Sequence, residues 1–405
     1  MKSDCKIGIR KEGGFSLVEL LVVMALFIVV LAVTSRTFTL ILRQSTQQAK
    51  QTETQMGRIV GLEMLRTDIG SAGYGLPWSF RNLISYNEAA AANVCGGNGF
   101  NGVNPASYND SPSSAPRAIL SANNQCINGS DYLIIKSTAV VTNSSAQNWS
   151  YVSYGTGTAP YPPKIWGVCN DSIDIPLNDN VIVIEPQQSS TNIRQLVMNG
   201  SGSCSTPNVC STTFSSCTAF SPNFAPVNPG ESYLIYDIGP SDTWGMPFNR
   251  ADYYIATNTP TNPNLVPSYC APNTGELVKA TVSHADGTMA NLLPLLDCVA
   301  DIQVVYMLDT NGGGVINAET DDISSSATYP ANVISNQVVE VRLYILSHEG
   351  KMDPNFTYPT YPNSTVTVGE FGLGSSDTLS TLIGAGWQNY RWKVSTIVVK
   401  TDNLL

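Results

Sequence analysis

The sequence predicts an α+β fold in which a long N-terminal transmembrane helix packs on an antiparallel β-sheet head with long, disulfide-held loops. Three observations predict it. One long apolar run lies near the N-terminus, β-branched segments separated by Asn-, Ser-, Gly- and Pro-rich stretches follow, and the chain contains nine cysteines. With 405 residues, the chain is long enough to bury a sizeable core.

Composition excludes several classes of protein. Charged residues make up 13% of the chain, about half the usual share for a soluble domain. The net charge of −10 argues against a nucleic-acid binder, which needs a basic surface to contact phosphates. Hydrophobic residues make up 42%, which argues against a disordered chain. The composition therefore indicates an exported, β-rich protein.

The N-terminus predicts membrane insertion. Residues 1–14 are short and basic, and the apolar run from Phe15 to Ser35 follows with a single charge, Glu19. As a helix this run would span roughly 31 Å, about one bilayer core. The basic flank should stay cytoplasmic, so that the rest of the chain is exported. Small residues precede the apolar run, so a cut after Gly14 would leave the helix on the mature protein.

The helical pattern continues beyond the bilayer run. Apolar residues recur at helical spacing between residues 56 and 69, with charges between them, and Gly70, Gly73, Gly75 and Pro77 then end the pattern. We therefore expect a leader at 1–14 and a helix at 15–75. Within this helix, 15–35 is transmembrane and 36–75 is an amphipathic spine. An exported β-rich head follows at 76–405.

The head sequence predicts eight strands. They have period-two or continuous β-branched patterns and are bounded by turn residues. They are Tyr132–Val141, Asn180–Glu185, Ser232–Ile238, Asp252–Thr257, Leu277–Ser283, Ile302–Leu308, Val338–Ser347 and Tyr390–Lys400.

The cysteines predict disulfides. Apart from Cys5 in the leader, all lie beyond the helix: Cys95, Cys126, Cys169, Cys204, Cys210, Cys217, Cys270 and Cys298. An even number in an exported chain predicts up to four disulfides, but about 105 pairings are open. Cys204, Cys210 and Cys217 lack zinc-site spacing and have no histidine nearby.

The segment from Asp309 to Asp322 is the candidate ion site. Its odd positions supply oxygens as a calcium loop does: Asp309, Asn311, Gly313, Val315 through its carbonyl, and Asn317, with Asp321 or Glu319 closing the shell. Glycine at the fifth position and Thr320 at the twelfth depart from that pattern. Since Asx-rich turns also join strands without a metal, a plain turn is the competing interpretation and the favoured one.

Two further features carry functional hypotheses. The stretch from Asn148 to Gly167 holds five Trp and Tyr residues, which would form either a protein or glycan contact or a loop folded over the sheet. The only histidines, His284 and His348, end predicted strands and are interpreted as surface or turn residues. No catalytic residue is predicted, so we do not expect an enzyme.

The segment GGFSLVELL resembles the type IV prepilin leader. The resemblance implies cleavage after Gly14 by an inner-membrane prepilin peptidase and methylation of the new amino group on Phe15. It also implies that Glu19 pairs with the Phe15 amine of a neighbouring subunit, because a carboxylate in hydrocarbon is costly unless it is paired.

Four other blocks resemble PilW-type minor pilins. They are GRIVGLEMLRTDIGSAGYG, DCVADIQVVYMLDTNGGGV, VVEVRLYILSHEG and YRWKVSTIVVKTDNL. Together with the leader they cover about a third of the chain, and residues 80–230 match no pattern of that family. Pseudopilins of type II secretion share the leader and similar sheets, so they remain an alternative.

The resemblance implies a minor pilin of the priming or tip complex of a type IV pilus. Its partners would be other minor and major pilins, prepilin peptidase, the inner-membrane assembly platform and a tip adhesin. It would lie in the inner membrane with its head in the periplasm, and then at the pilus tip. A tip adhesin that binds through residues 148–167 or 199–230 is a third interpretation.

Overall fold

The computed structural model describes residues 16–80, 84–112, 114–141, 144–155, 160–187, 193–240 and 244–404. Side chains of 40, 43, 44, 46–56, 144, 145, 187, 193 and 290 are outside this description. The chain divides into two compact units, Met1–Glu53 and Thr54–Leu405. Gly14 and Phe15 lie outside the described residues, so their predicted roles remain predictions.

Helix α1 spans Leu17–Gly70. Its first part is apolar, and the hydroxyls of Thr34 and Thr37 donate to the carbonyls of Val30 and Val33 at 2.8 and 3.0 Å. These bonds satisfy the hydroxyls within the helix itself, as a lipid environment requires. The helix ends at Gly70, and positive φ angles at Gly73 and Gly75 then turn the chain away.

Two short α-helices, five 3₁₀ helices and eighteen strands follow α1 in the described residues. The α-helices are α2 (Ala331–Gln337) and α3 (Leu379–Leu382). The strands are β1 (Ser79–Phe80), β2 (Ile84–Ser85), β3 (Ile119–Ala122), β4 (Tyr132–Ser137), β5 (Trp149–Ser153), β6 (Asn180–Gln187), β7 (Ile193–Leu196), β8 (Gly202–Ser203), β9 (Thr212–Thr213), β10 (Ser232–Gly239), β11 (Asn249–Ala256), β12 (Gly275–Val282), β13 (Met289–Leu308), β14 (Ala318–Thr320), β15 (Val338–Glu349), β16 (Thr365–Val368), β17 (Ser375–Thr378) and β18 (Arg391–Lys400).

The main sheet is antiparallel and has the order β18-β15-β13-β12-β11-β4-β3, with β14 paired to β13. Strand β13 is 20 residues long and joins the two halves of the sheet. Every residue of β4 and β11 is buried. Burial on both faces means that neither strand alternates strictly between apolar and polar residues, and β11 buries Asn249, Arg250 and Asp252 as well.

Separate hydrophobic cores cover the two faces of the main sheet. Leu65 and Ile69 of α1 are fully buried in the larger core, together with Val304 of β13. Val305, the next residue of β13, belongs to a second core that contains Trp387. Because successive side chains of a strand point to opposite faces, these two neighbours fill different cores.

A second sheet has the order β1-β7-β6-β10-β5, with β9 also paired to β6. Its own core contains Val183, Phe214 and Ile235, all fully buried. The small sheets β16-β17 and β2-β8 complete the head.

The C-terminal part of α1 is tied to the main sheet by ion pairs. Lys279 Nζ of β12 lies 2.8 Å from Asp68 Oδ2, and the Tyr253 hydroxyl of β11 donates to the same oxygen at 2.7 Å. Arg58 Nη1 lies 3.0 Å from Glu349 Oε1 of β15. Since each partner is largely buried, these bonds fix the register of the helix on the strands.

A buried network of charges anchors residues 86–112 to the main sheet. Lys136 Nζ of β4 lies 2.7 Å from Glu88 Oε2 and 2.6 Å from Asp110 Oδ2. Arg250 of β11 lies 3.0 Å from Glu88 and 2.8 Å from Asp252. Removing one partner would leave a buried charge uncompensated, at a cost of about 3–5 kcal/mol.

The predicted fold class is confirmed. Each of the eight predicted strands lies within or overlaps an observed strand, and the predicted Ile302–Leu308 is the C-terminal part of β13. The analysis missed the short strands β1, β2, β3, β5, β7, β8, β9, β14, β16 and β17, which have two to five residues each. Strands this short carry too few residues for a periodic pattern.

All eight head cysteines form disulfides. The pairs are Cys95–Cys126, Cys169–Cys217, Cys204–Cys210 and Cys270–Cys298. The structure thus selects one connectivity among those that the sequence left open.

Candidate functional site

The exposed apolar part of α1 is the main candidate for a functional surface. Residues Leu17–Thr39 have a mean hydropathy of 2.9, and none of the most apolar stretch is buried. Leu17 and Phe27 are 76% and 64% exposed. Twenty-three helical residues span roughly 34 Å, which is enough to cross a bilayer. This surface has the length and polarity to lie in lipid or against other apolar helices.

Glu19 is the one charged side chain between Leu17 and Ser35, and Arg36 follows that stretch. Glu19 lies exposed in the first turn of α1, where the positive end of the helix dipole favours a carboxylate. Within the described part of the chain, Glu19 forms no ion pair.

The Asp309 loop uses its candidate ligands for hydrogen bonds of its own. The Asp309 carboxylate accepts from the backbone N–H groups of Asn311, Gly313 and Gly314, at 3.3, 3.2 and 2.6 Å. Burial raises the pKa of Asp309, but these N–H groups outweigh it, so the net pKa is lower than usual. Asn317 Oδ1 accepts from the Thr310 N–H at 2.9 Å. Such an Asx-type turn is stable with no ion.

Two more of the proposed ligands also accept backbone hydrogen bonds. Asn311 Oδ1 accepts from the Gly313 N–H at 3.0 Å, and Asp321 Oδ2 accepts a long 3.4 Å bond from the Gly374 N–H. The calcium site stays a prediction, and the plain turn stays the favoured interpretation.

The aromatic stretch 148–167 divides into buried and exposed parts. Trp149 and Trp166 are 38% and 42% exposed, and their ring centroids lie 4.9 Å apart. The Trp166 indole N–H donates to the Trp149 carbonyl at 2.7 Å, which holds the pair together. Tyr161 instead is buried in the core of the second sheet. The stretch thus provides both packing and an exposed aromatic surface.

The interpretation of His348 as a surface residue was wrong. Its side chain is 1% exposed and packs between the rings of Tyr390 and Trp392. Its Nε2 accepts from the Ala271 N–H at 2.9 Å, and burial lowers its pKa to about 4. His348 lies beside Cys270 and Cys298, but these sulfurs are bonded to each other and so are not thiolate ligands for a metal.

The sequence analysis also missed a polar cleft in the head. The cleft has a volume of about 1000 Å³. Asn, Ser and Thr side chains predominate in its lining, which also includes Asp179, His284, Trp244 and four apolar residues. Its residues come from stretches as far apart as Asn87 and Ala285. No local motif joins such distant positions, so only the folded chain reveals the cleft.

Comparisons with known proteins agree with the N-terminal features. Residues 9–35 match the family model described as the prokaryotic N-terminal methylation motif. This match contains Gly14, Phe15 and Glu19, confirms the predicted prepilin-type motif and supports a pilin role. No curated protein matches the chain.

A solved structure similar in part to this chain is a type IV-like pilin from Thermus thermophilus. It is 19% identical, covers 40% of this chain and 70% of that chain, and has a TM-score of 0.19.

Proposed function

We propose that this chain is a minor pilin that takes part in type IV pilus assembly after cleavage by prepilin peptidase. The proposal rests on one observation, the direct connection between the methylation motif and the apolar helix at the N-terminus. The methylation motif at 9–35 runs directly into an exposed apolar helix, Leu17–Thr39. A cut after Gly14 would release this helix with a free amino group, ready to join a bundle of similar helices.

Glu19 would then direct assembly. In a helix bundle its carboxylate can neutralise the Phe15 amine of a neighbouring subunit, and this pairing offsets the cost of holding each charge in an apolar environment. The absence of an ion pair for Glu19 among the described residues is consistent with a partner on another subunit. In this proposal the work of the protein is packing rather than catalysis.

The size of the head supports a low-copy position at the pilus tip. The compact unit Thr54–Leu405 would be difficult to repeat in every subunit of a thin filament. Before assembly the chain would lie in the inner membrane, with its head in the periplasm. Its membrane end would meet other minor and major pilins and the assembly platform, while its head could meet a tip adhesin.

Complementation of a deletion strain tests the proposal. Cells would carry the wild type, Glu19→Val or Glu19→Asp, with the exposed Glu63→Val as a control for the loss of a helix carboxylate. We expect Glu19→Val to insert in the membrane but to reduce pili and its own recovery in sheared filaments. Glu19→Asp should restore part of both, and Glu63→Val should behave as wild type. A deletion strain with normal pili but a lost secreted substrate would support the pseudopilin alternative instead.

The exposed Trp149–Trp166 pair favours a second candidate function, that of a tip-located binding module. Two adjacent exposed indoles offer a large apolar contact area at the protein surface. If they contact a host or cell surface, Trp149→Ala with Trp166→Ala should reduce adhesion of cells whose pili are normal in number. Unchanged adhesion would exclude this pair as the contact.

A further inference from the structure

The polar cleft of the head has walls that are held in place. The loop between Cys204 and Cys210, which supplies Ser205 and Asn208, is closed by a disulfide. The Cys204 N–H donates to the Ser85 carbonyl at 2.8 Å, and the Asn87 amide donates to Ser205 Oγ at 3.3 Å. Binding in a cleft that is already ordered loses little conformational entropy.

The opposite wall is also fixed. The Asn87 N–H donates to the Gly245 carbonyl at 2.8 Å, which joins the disulfide-loop wall to the segment that carries Trp244. The Trp244 ring lies 4.6 Å from the His284 ring, and His284 Nε2 lies 2.9 Å from Asn249 Oδ1. Trp244 is thus held by packing at the cleft.

The lining selects a class of ligand. Of the described residues that line the cleft, none is Lys or Arg, and Asp179 is the one acidic residue. Burial lowers the pKa of His284 to about 4, so its ring is neutral at neutral pH. Phosphate, sulfate and carboxylate ligands are bound most strongly by Arg and Lys side chains, and no such side chain is among the described residues of this lining. A purely apolar ligand would leave the amides and hydroxyls of the lining without hydrogen-bond partners.

This lining suits a ligand with many hydroxyl groups, because it offers amides, hydroxyls, one carboxylate and an indole. The amides of Asn87 and Asn208 can donate to and accept from hydroxyls, as can the hydroxyl of Ser205. The face of Trp244 can pack on the C–H face of a pyranose ring. We propose that this cleft binds a neutral carbohydrate of one to a few sugar units. This goes beyond a role in pilus assembly and does not depend on it.

Binding can be measured on the full mature chain in a detergent without a sugar headgroup. The probes are maltotriose, mannotriose, lactose and chitotriose, with sialyllactose and glucose 6-phosphate as anionic comparators, studied by saturation-transfer NMR and calorimetric titration. The variants are Asn87→Ala and Trp244→Ala. Their matched controls are Asn262→Ala and Tyr361→Ala, two exposed residues that do not line the cleft. Trp149→Ala tests the exposed aromatic pair as a competing binding site. Melting temperature and near-UV circular dichroism verify the fold of each variant.

We expect at least one neutral probe to bind and both cleft variants to weaken it tenfold or more, while both controls bind as wild type. If Trp244→Ala does not fold, the exposed Asn87→Ala alone carries the test. The proposal is overturned if no neutral probe binds at millimolar concentration, or if an anionic comparator binds more tightly. It is also overturned if Trp149→Ala abolishes binding that the cleft variants retain.

Discussion

Gly61 of α1 lies directly against the backbone of Leu295 in β13. A methyl group at Gly61 would lie 1.8 Å from the Leu295 carbonyl oxygen, far inside the van der Waals distance. Glycine is normally unfavourable in a helix interior, by up to about 1 kcal/mol relative to alanine. Here its missing side chain allows the helix to approach the sheet closely, so that Leu65 and Ile69 reach the core.

Gly61→Ala should therefore destabilise the head, because the obstructing group is backbone and the helix must shift. We expect the free energy of unfolding to fall by about 1–3 kcal/mol, the range for overpacked sites. Gly57→Ala is the matched control, since a methyl group there would meet no atom within 4 Å. It should leave stability unchanged or raise it by up to about 1 kcal/mol. Denaturant unfolding measures both, and equal effects would contradict the close-contact explanation.

Glu276 should make stability depend on pH. Burial, and then the nearby Asp297 carboxyl, raise the pKa of Glu276 to about 9. Because the folded state binds this proton more tightly than the unfolded state, the contribution is full below about pH 4.5 and is lost as pH rises towards 9. Glu276→Gln, which stays neutral, should be more stable than wild type at pH 8 by more than about 1 kcal/mol.

This advantage should shrink as pH falls to 4.5 and should approach zero below it, where Glu276 becomes protonated in both states. Melting curves at several pH values measure it. Glu63→Gln, at an exposed position on α1, controls for the loss of a carboxylate. An advantage of Glu276→Gln that is the same at pH 4.5 and pH 8 would show that titration of Glu276 is not its cause.

Cleavage of the leader should depend on the size of the side chain at residue 14. Mature protein is expected to begin at Phe15 with a methylated amine, which N-terminal mass spectrometry detects. Gly14→Val should leave full-length precursor in the membrane, because a branched side chain beside the scissile bond obstructs the peptidase. Gly14→Ala adds only one methyl group and should still be cleaved in part. Mature wild-type protein that retains Met1, or that begins beyond Ser35, would refute the assigned cleavage site.

Calcium should not change the melting temperature of the chain, because the Asp309 carboxylate already accepts three backbone N–H groups. Asp309→Ala should lower the melting temperature equally with calcium and with chelator. Asp309→Asn, which keeps one acceptor oxygen, should lower it less. A calcium-dependent rise in wild type that Asp309→Ala abolishes would establish the predicted ion site instead, since a ligand of the folded state stabilises it.

The sequence by itself determined the features that are encoded locally. The apolar run after Phe15, the glycines beyond residue 69 and the β-branched runs such as Val338–Ser347 act through hydrophobic transfer and backbone preference, which depend on neighbours in the chain. They located α1 and the eight longer strands. The spacing of Gly14, Phe15 and Glu19 is also a local feature of the sequence. It predicted the motif that the family model matches at residues 9–35.

The tertiary structure decided everything that joins distant residues. It selected the four disulfides, placed Lys279 on Asp68, buried His348 between two aromatic rings and brought Asn87 to the same cleft as His284. Such contacts depend on which surfaces meet, and no single stretch of the chain contains that information.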